Sequence, residues 1–155
     1  MDVITTHINA DFDCLGAMVA AARLYPGALV SFPGSQEKSL RDFSSHHPEY
    51  LPVMTRAKDI DLNLVTRLII VDCQQAARIG RFAELLERPG LDIHIYDHHP
   101  LTPDSIRPTG GTIRPCESTI FTSICGWTRP IVDTRRSSGS SQALWKLTGL
   151  VSVMP

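Results

Sequence analysis

The sequence predicts an α/β fold with three layers, in which helices flank a mainly parallel sheet of about four or five strands. Apolar runs typical of buried strands recur at residues 3–6, 28–32, 66–72 and 92–96. The segments between them have helical or polar patterns. Strands that alternate with helices at this spacing are typical of a parallel sheet covered on both faces.

The first strand is followed by a predicted helix from about Cys14 to Leu24. Its apolar residues share one face at helical spacing, and they are Leu15, Met18, Val19 and Ala22. Pro26-Gly27 ends this helix. Residues 28–32 form the second strand, and Pro33-Gly34 closes it.

The middle of the chain continues the alternation. Residues 39–50 indicate a short polar helix or loop, and residues 66–72 a central parallel strand that ends in Asp72. An amphipathic helix is predicted over residues 79–86, and residues 92–96 form the next strand.

The C-terminal third has a weaker pattern. Residues 103–115 predict a loop, because prolines and glycines punctuate them. Residues 118–124 can open a helix, and only residues 142–147 have helical character beyond them. We therefore divide the chain into a domain at 1–124 and an irregular tail at 125–155.

Length and composition limit the classes of function. A chain of 155 residues suits one domain, and a net charge of −1 argues against a broad basic face for duplex nucleic acid. The sequence has neither an apolar run of the ~18–20 residues that span a membrane nor a signal-peptide pattern. The cysteines form no C-x-x-C pair, which favours reduced thiols and a cytoplasmic protein; they are Cys14, Cys73, Cys116 and Cys125.

Residues that can bind metal follow three of the predicted strands. A single carboxylate at a strand end is more often a helix cap or a turn residue than a ligand. In a parallel sheet, however, these three strand ends lie along the same edge, and carboxylates with imidazoles suit a divalent cation. The candidate ligands are His7, Asp11, Asp13, Asp72, Asp97, His98 and His99.

Other histidines and cysteines have simpler interpretations. His46-His47 are adjacent and point in different directions on a helix, so a solvated loop is favoured over a metal pair. His94 alternates with apolar residues and is interpreted as a core or sheet-face residue, with a supporting role at the site as the alternative. Cys73 is interpreted as core. Cys14 is either a small helix-packing residue or a metal contact.

The ordered motifs resemble the DHH phosphoesterase superfamily. They are His7-x-x-x-Asp11-x-Asp13, then Asp72 after an apolar strand, then Asp97-His98-His99. The resemblance covers roughly residues 1–124. Residues 5–17 and 96–100 look most like DHH modules that are fused, in some bacteria, to CBS domains and a tRNA nucleotidyltransferase-like domain.

This resemblance implies two Mn²⁺ or Mg²⁺ ions. His7, Asp11 and Asp72 would hold one, and Asp13, Asp72 and His98 the other, with Asp72 as the bridge. Two ions that share a carboxylate can deprotonate a water between them for attack on phosphorus.

The resemblance also assigns roles around the metals. The catalytic residues would be Asp72, His98 and His99, with His99 as donor to the substrate phosphate or acid to the leaving oxygen. Asp97 would orient a histidine or cap the turn. Arg107 and Arg114 are candidate phosphate contacts, with solvated loop arginines as the alternative.

The chain departs from the family pattern in its C-terminal part. The family has a further metal-binding Asp in this region, and Asp133 is the only acid after Glu117. The family's second domain is missing, so we expect a truncated form. The apolar surface that this would leave exposed predicts a partner chain or a homodimer contact.

The function expected from these observations is metal-dependent hydrolysis of phosphoester or phosphoanhydride bonds. The substrate would be a nucleotide, a short oligonucleotide or polyphosphate. The alternative is a truncated, non-catalytic DHH module that binds metal or nucleotide phosphate as a regulatory or vestigial domain.

Overall fold

The computed structural model describes residues 1–109 and 112–113, in which five strands form one parallel sheet. The strands are β1 (Asp2–Thr5), β2 (Leu29–Val30), β3 (Arg67–Val71), β4 (Asp92–Tyr96) and β5 (Thr112–Ile113). The helices are α1 (Phe12–Leu24) and α2 (Lys38–His46). Each neighbouring pair in the order β2-β1-β3-β4-β5 is parallel, so the predicted α/β class with a parallel sheet is confirmed.

The strand order creates a crevice at the carboxyl end of β1. The chain leaves β1 through α1 to reach β2 on one side, and it later returns to β3 on the other side. Connections that diverge in this way leave an opening beyond the strand ends, which is where open α/β sheets bind ligands. The candidate metal ligands of the sequence lie around this opening.

Alternate residues of β3 pack into two different layers. Ile69 and Val71 contribute to an apolar cluster with Met18 of α1. Leu68 and Ile70 contribute to the cluster on the opposite face, together with the fully buried Phe82. Because both faces of the sheet are covered at β3, successive residues of this strand are apolar.

The first helix begins at Phe12, two residues earlier than the sequence predicted. Asp11 is its N-cap, and the Asp11 carboxylate accepts hydrogen bonds from the backbone N–H groups of Asp13 and Cys14. A capping carboxylate satisfies backbone donors that a first turn leaves free. The cap therefore sets both the start of α1 and the direction of the Asp11 side chain.

The amphipathic helix predicted at 79–86 is present as a 3₁₀-helix. The structure has two 3₁₀-helices there, Ala76–Arg78 and Gly80–Leu85. Gly80 begins the second of them with φ of +57°, and a Cβ atom on it would lie 2.8 Å from the Pro33 carbonyl oxygen. An α-helix requires negative φ, so this residue interrupts an α-helical path. Glycine is the residue that adopts a positive φ at low cost.

Two further elements differ from the sequence predictions. Residues 39–50 form α2 and the 3₁₀-helix Pro48–Tyr50 rather than one short element. The predicted loop at 103–115 contains β5, whose Thr112 pairs with Ile95 of β4. A strand of two residues is too short to show an alternation of apolar and polar residues. It forms because the backbone of β4 offers free hydrogen-bonding groups beside it.

His94 lies on β4 away from the crevice and joins a polar network. The hydroxyl of Tyr25 is 2.5 Å from His94 Nδ1 and 2.5 Å from the hydroxyl of Tyr96. His94 Nε2 faces Asp92, 3.2 Å from its Oδ1. The sheet-face interpretation of His94 fits this placement.

Among the described residues, none of the helices has the length and apolar character that crossing a bilayer requires. The predicted helical segments at 118–124 and 142–147, and the tail at 125–155, lie outside the described residues.

Candidate metal centre

Two groups of potential ligands meet at the carboxyl ends of β1, β3 and β4. One group consists of His7, Asp11, Cys14 and Asp72, and the other of Asp72, Asp97, His98 and His99. Within each group, one donor atom per residue lies within 4.8 Å of the others. The register explains the convergence, because β3 and β4 end side by side at Val71 and Tyr96.

His7 presents one particular nitrogen to the first group. Its side chain is buried, at 5% exposure, and Nδ1 lies 2.9 Å from the carbonyl oxygen of Ile8. Since a carbonyl only accepts, Nδ1 is the donor, and in the neutral imidazole Nε2 carries the free lone pair. This arrangement is common in metal-ligating histidines.

Asp11 and Asp13 separate at the start of α1. Asp11 Oδ1 accepts from the N–H groups of Asp13 and Cys14 at 3.0 and 3.1 Å. Burial raises the pKa of Asp11, but these hydrogen bonds and the nearby His7 outweigh it and lower the pKa. Asp13 is exposed and belongs to neither group, so its role as a ligand stays a prediction.

Asp72 belongs to both groups. It is 7% exposed, with φ of +52°, a conformation that Asp and Asn adopt more readily than most residues. One carboxylate oxygen lies 3.9 Å from His7 Nε2, and the other lies 3.8 Å from Nδ1 of His98 and of His99. Burial raises its pKa, and a bound cation would favour its ionised form.

The second group is built on a turn after β4. Asp97 Oδ1 accepts from the backbone N–H of His99 at 3.0 Å and contacts its ring Nδ1 at 2.6 Å. The rings of His98 and His99 stack with centroids 4.4 Å apart. The buried Asp97 carboxylate thus fixes the exposed His99 ring at the mouth of the site.

The pairing with Asp97 should be visible in the pKa of His99. The hydrogen bond to Asp97 raises the pKa of His99, so the charged pair adds stability that is lost as the pH rises through that raised value. In the metal-free protein, Asp97→Asn should lower the pKa of His99 as followed by NMR titration. A pKa of His99 that stays unchanged in the variant would contradict the pairing.

Other candidates that the structure describes join neither group. Arg107 is exposed on the loop after β4, and His46 and His47 are exposed at the end of α2. Arg114 and Asp133 lie outside the described residues. The phosphate-binding role of Arg107 therefore stays a prediction.

The structure adds functional candidates that sequence reasoning missed. A cavity of about 210 Å³ lies beside the second group, lined among others by Gln74, Arg78 and His99. Gln74 Nε2 donates to the carbonyl oxygen of His99 at 2.7 Å, which braces the turn. Arg78 falls in a segment that the sequence predicted only as a connection, so no motif marked it.

The donor set fits divalent cations. Asp72 is almost fully buried, yet among the described residues its Oδ1 has only ring nitrogens nearby, at 3.8 Å, beyond hydrogen-bonding distance. A largely buried carboxylate whose one side-chain donor is a weak thiol, from Cys14 to Oδ2, is costly in its ionised form. Imidazole nitrogens and carboxylate oxygens around it would supply ligands for a cation that removes this cost.

The sequence of this chain matches a known family. Residues 3–144 match the DHH family, N-terminal domain. The chain belongs to the DHH family. The resemblance drawn from the three motifs is confirmed, and with it membership of the phosphoesterase superfamily.

A curated relative shares much of this sequence. It is the A-adding tRNA nucleotidyltransferase of Geobacter sulfurreducens, 61% identical over 118 residues. The match covers 76% of this chain but only 13% of that protein.

A solved structure shares the fold. It is an exopolyphosphatase-related protein from Bacteroides fragilis, with a TM-score of 0.55 and 19% sequence identity. The similarity covers 81% of this DHH chain and 39% of the other chain. At this identity, the comparison supports the fold.

Proposed function

We propose that this DHH chain is a divalent-metal-dependent phosphoesterase. Its substrates would be phosphoester or phosphoanhydride bonds in nucleotides, short oligonucleotides or polyphosphate. The observation that carries the proposal is the position of Asp72, whose two oxygens face two separate donor groups. A shared carboxylate is typical of two-metal sites that act on phosphate esters.

The cations would be held by His7, Asp11 and Asp72 on one side and by Asp72 and His98 on the other, with Asp13 as a further expected ligand. When bound, Mn²⁺ or Mg²⁺ would stabilise negative charge on phosphoryl oxygens and lower the pKa of a coordinated water.

The protein's own residues would position the phosphate. Because Asp97 engages Nδ1 of His99, the ring is held in place and Nε2–H of the charged imidazole is left to donate to a phosphoryl or leaving oxygen. Arg78 lines the same cavity and is always charged, so it can hold a second phosphoryl oxygen.

The size of the cavity supports a small phosphorylated substrate. Its volume of about 210 Å³ lies below the ~300–1,000 Å³ of pockets that enclose whole ligands. The cavity can hold one phosphoryl group, with the nucleoside or the rest of the oligonucleotide or polyphosphate outside it. The similarity to a tRNA nucleotidyltransferase makes short oligoribonucleotides the first natural substrates to test.

Hydrolysis of a chromogenic phosphodiester in Mn²⁺ tests this function. The wild type should hydrolyse it, chelator should abolish the reaction, and His98→Ala should lower the rate by about 100-fold or more. His46→Ala removes another exposed histidine, outside the site, and should leave the rate unchanged. Equal rates for both variants would contradict the proposed role of His98.

A non-catalytic binding module is the second candidate. The exposed position of Asp13, outside both donor groups, favours it, because the second cation then has fewer protein ligands. This candidate predicts Mn²⁺ and nucleotide binding without turnover of any phosphoester, oligoribonucleotide or polyphosphate.

A further inference from the structure

Cys14 lies inside the first donor group. It follows Asp13 in the first turn of α1 and has 0% exposure. Its Sγ lies 3.0 Å from His7 Nε2 and 3.3 Å from Asp72 Oδ2. The backbone N–H of Cys14 donates to Asp11, so the cap that orients the carboxylate also fixes the thiol.

Packing alone does not explain this thiol. Cys14 does contact an apolar cluster with Ala10, Leu15 and Leu40. Its sulfur, however, faces two polar side chains that are themselves more than nine-tenths buried, His7 and Asp72. The other buried cysteine of the described residues, Cys73, lies in the apolar core, and its Sγ is 3.7 Å from the nearest hydrogen-bond partner, the Gln75 carbonyl oxygen.

The hydrogen-bond donors around Cys14 are fewer than the acceptor atoms that face them. In neutral His7, the Nδ1–H donates to the Ile8 carbonyl oxygen, so Nε2 presents only a lone pair. The single S–H of Cys14 can be given to His7 Nε2 or to Asp72 Oδ2, and not to both. Asp72 Oδ1 in addition lacks a hydrogen-bond donor among the described residues. Acceptor atoms that outnumber the nearby donors in this way are typical of a site that binds a cation.

We propose that Cys14 Sγ is a ligand of the cation held by His7, Asp11 and Asp72. On binding, the thiol proton leaves to solvent, and a sulfur lone pair forms the bond to the metal, without oxidation or reduction. This inference rests on the metal centre of the proposed function.

A sulfur ligand changes which metals this position prefers. Thiolate with imidazole and carboxylate favours Zn²⁺ and Co²⁺, whereas Mg²⁺ prefers oxygen ligands alone. The first position should therefore take a thiophilic divalent cation in preference to Mg²⁺. The second position, with carboxylate and imidazole donors, has no thiol in its group.

Cobalt absorption tests the ligand directly, in the full chain. Sulfur bonded to Co²⁺ gives a near-ultraviolet charge-transfer band that oxygen and nitrogen ligands do not give. We expect this band in the wild type and in Cys73→Ala, and its loss in Cys14→Ser and Cys14→Ala. Cys14→Ser keeps the shape of the side chain and a hydroxyl that can hydrogen-bond to His7 or Asp72, so we expect this variant to fold. Circular dichroism checks that each variant is folded.

Metal affinity provides a second readout. Competition with a chelating dye should show Zn²⁺ binding to Cys14→Ser weakened by at least about 10- to 100-fold, the range seen even when a group that only supports a ligand is removed. Mg²⁺ affinity should stay unchanged.

The outcomes separate this inference from the function on which it rests. Co²⁺ that binds the wild type without the sulfur band, or a band that persists in Cys14→Ala, would overturn the role of Cys14 and leave the metal centre in place. A wild type that binds no Co²⁺, Mn²⁺ or Zn²⁺ would overturn both.

Discussion

Asp72→Asn should abolish metal-dependent hydrolysis, with a fall in rate of at least about 100- to 1000-fold. The substitution removes the one carboxylate that belongs to both donor groups. Asparagine keeps the size of the side chain and tolerates the φ of +52°, which alanine would not adopt easily. The measurement is the initial rate of phosphodiester hydrolysis at saturating Mn²⁺.

The same variant should not destabilise the metal-free protein at neutral pH. Burial raises the pKa of Asp72, so its ionised form opposes folding above the ordinary pKa, and the opposition disappears as the pH falls through the raised value. Removing the charge relieves this opposition, as often occurs when a functional residue is replaced. Asp42→Asn, at an exposed ion pair with Lys38, is the matched control for both measurements. A variant at Asp72 with wild-type turnover would exclude the bridging role.

Phe82→Ala should lower the free energy of unfolding by about 3–5 kcal/mol, the range for truncating a buried aromatic residue. Phe82 has 0% exposure and packs beneath β1, β3 and β4, in the cluster that contains Val3, Ile70 and Ile95. Equilibrium denaturation measures the loss. Val53→Ala, at 91% exposure, should change the free energy by no more than about 0.5 kcal/mol. Similar values for the two variants would contradict this account of the core.

The central strands were predictable because their signal is local. The β3 sequence is apolar at successive positions, which a strand buried on both faces requires, and Asp72 ends it abruptly. Parallel pairing then places the carboxyl ends of these strands along one edge of the sheet, where His7, Asp72 and His98 lie. These steps need only residue order and sheet geometry.

The features that sequence reasoning missed depend on contacts between distant segments. The amphipathic pattern at 79–86 indicates a helix, but not its 3₁₀ form or its start at Gly80, where Pro33 approaches closely. The direction of the Cys14 thiol depends on the end of β3, 58 residues further along the chain. Arg78 reaches the cavity only because its segment folds back beside the turn after β4. No local pattern carries this information.

Calorimetric titration of the metal-free wild type and of Asp72→Asn with Mn²⁺ tests whether Asp72 is shared by two cations. A centre in which Asp72 serves both cations predicts two binding events in the wild type and the loss or strong weakening of both in the variant. Two events of unchanged affinity in Asp72→Asn would contradict the shared centre.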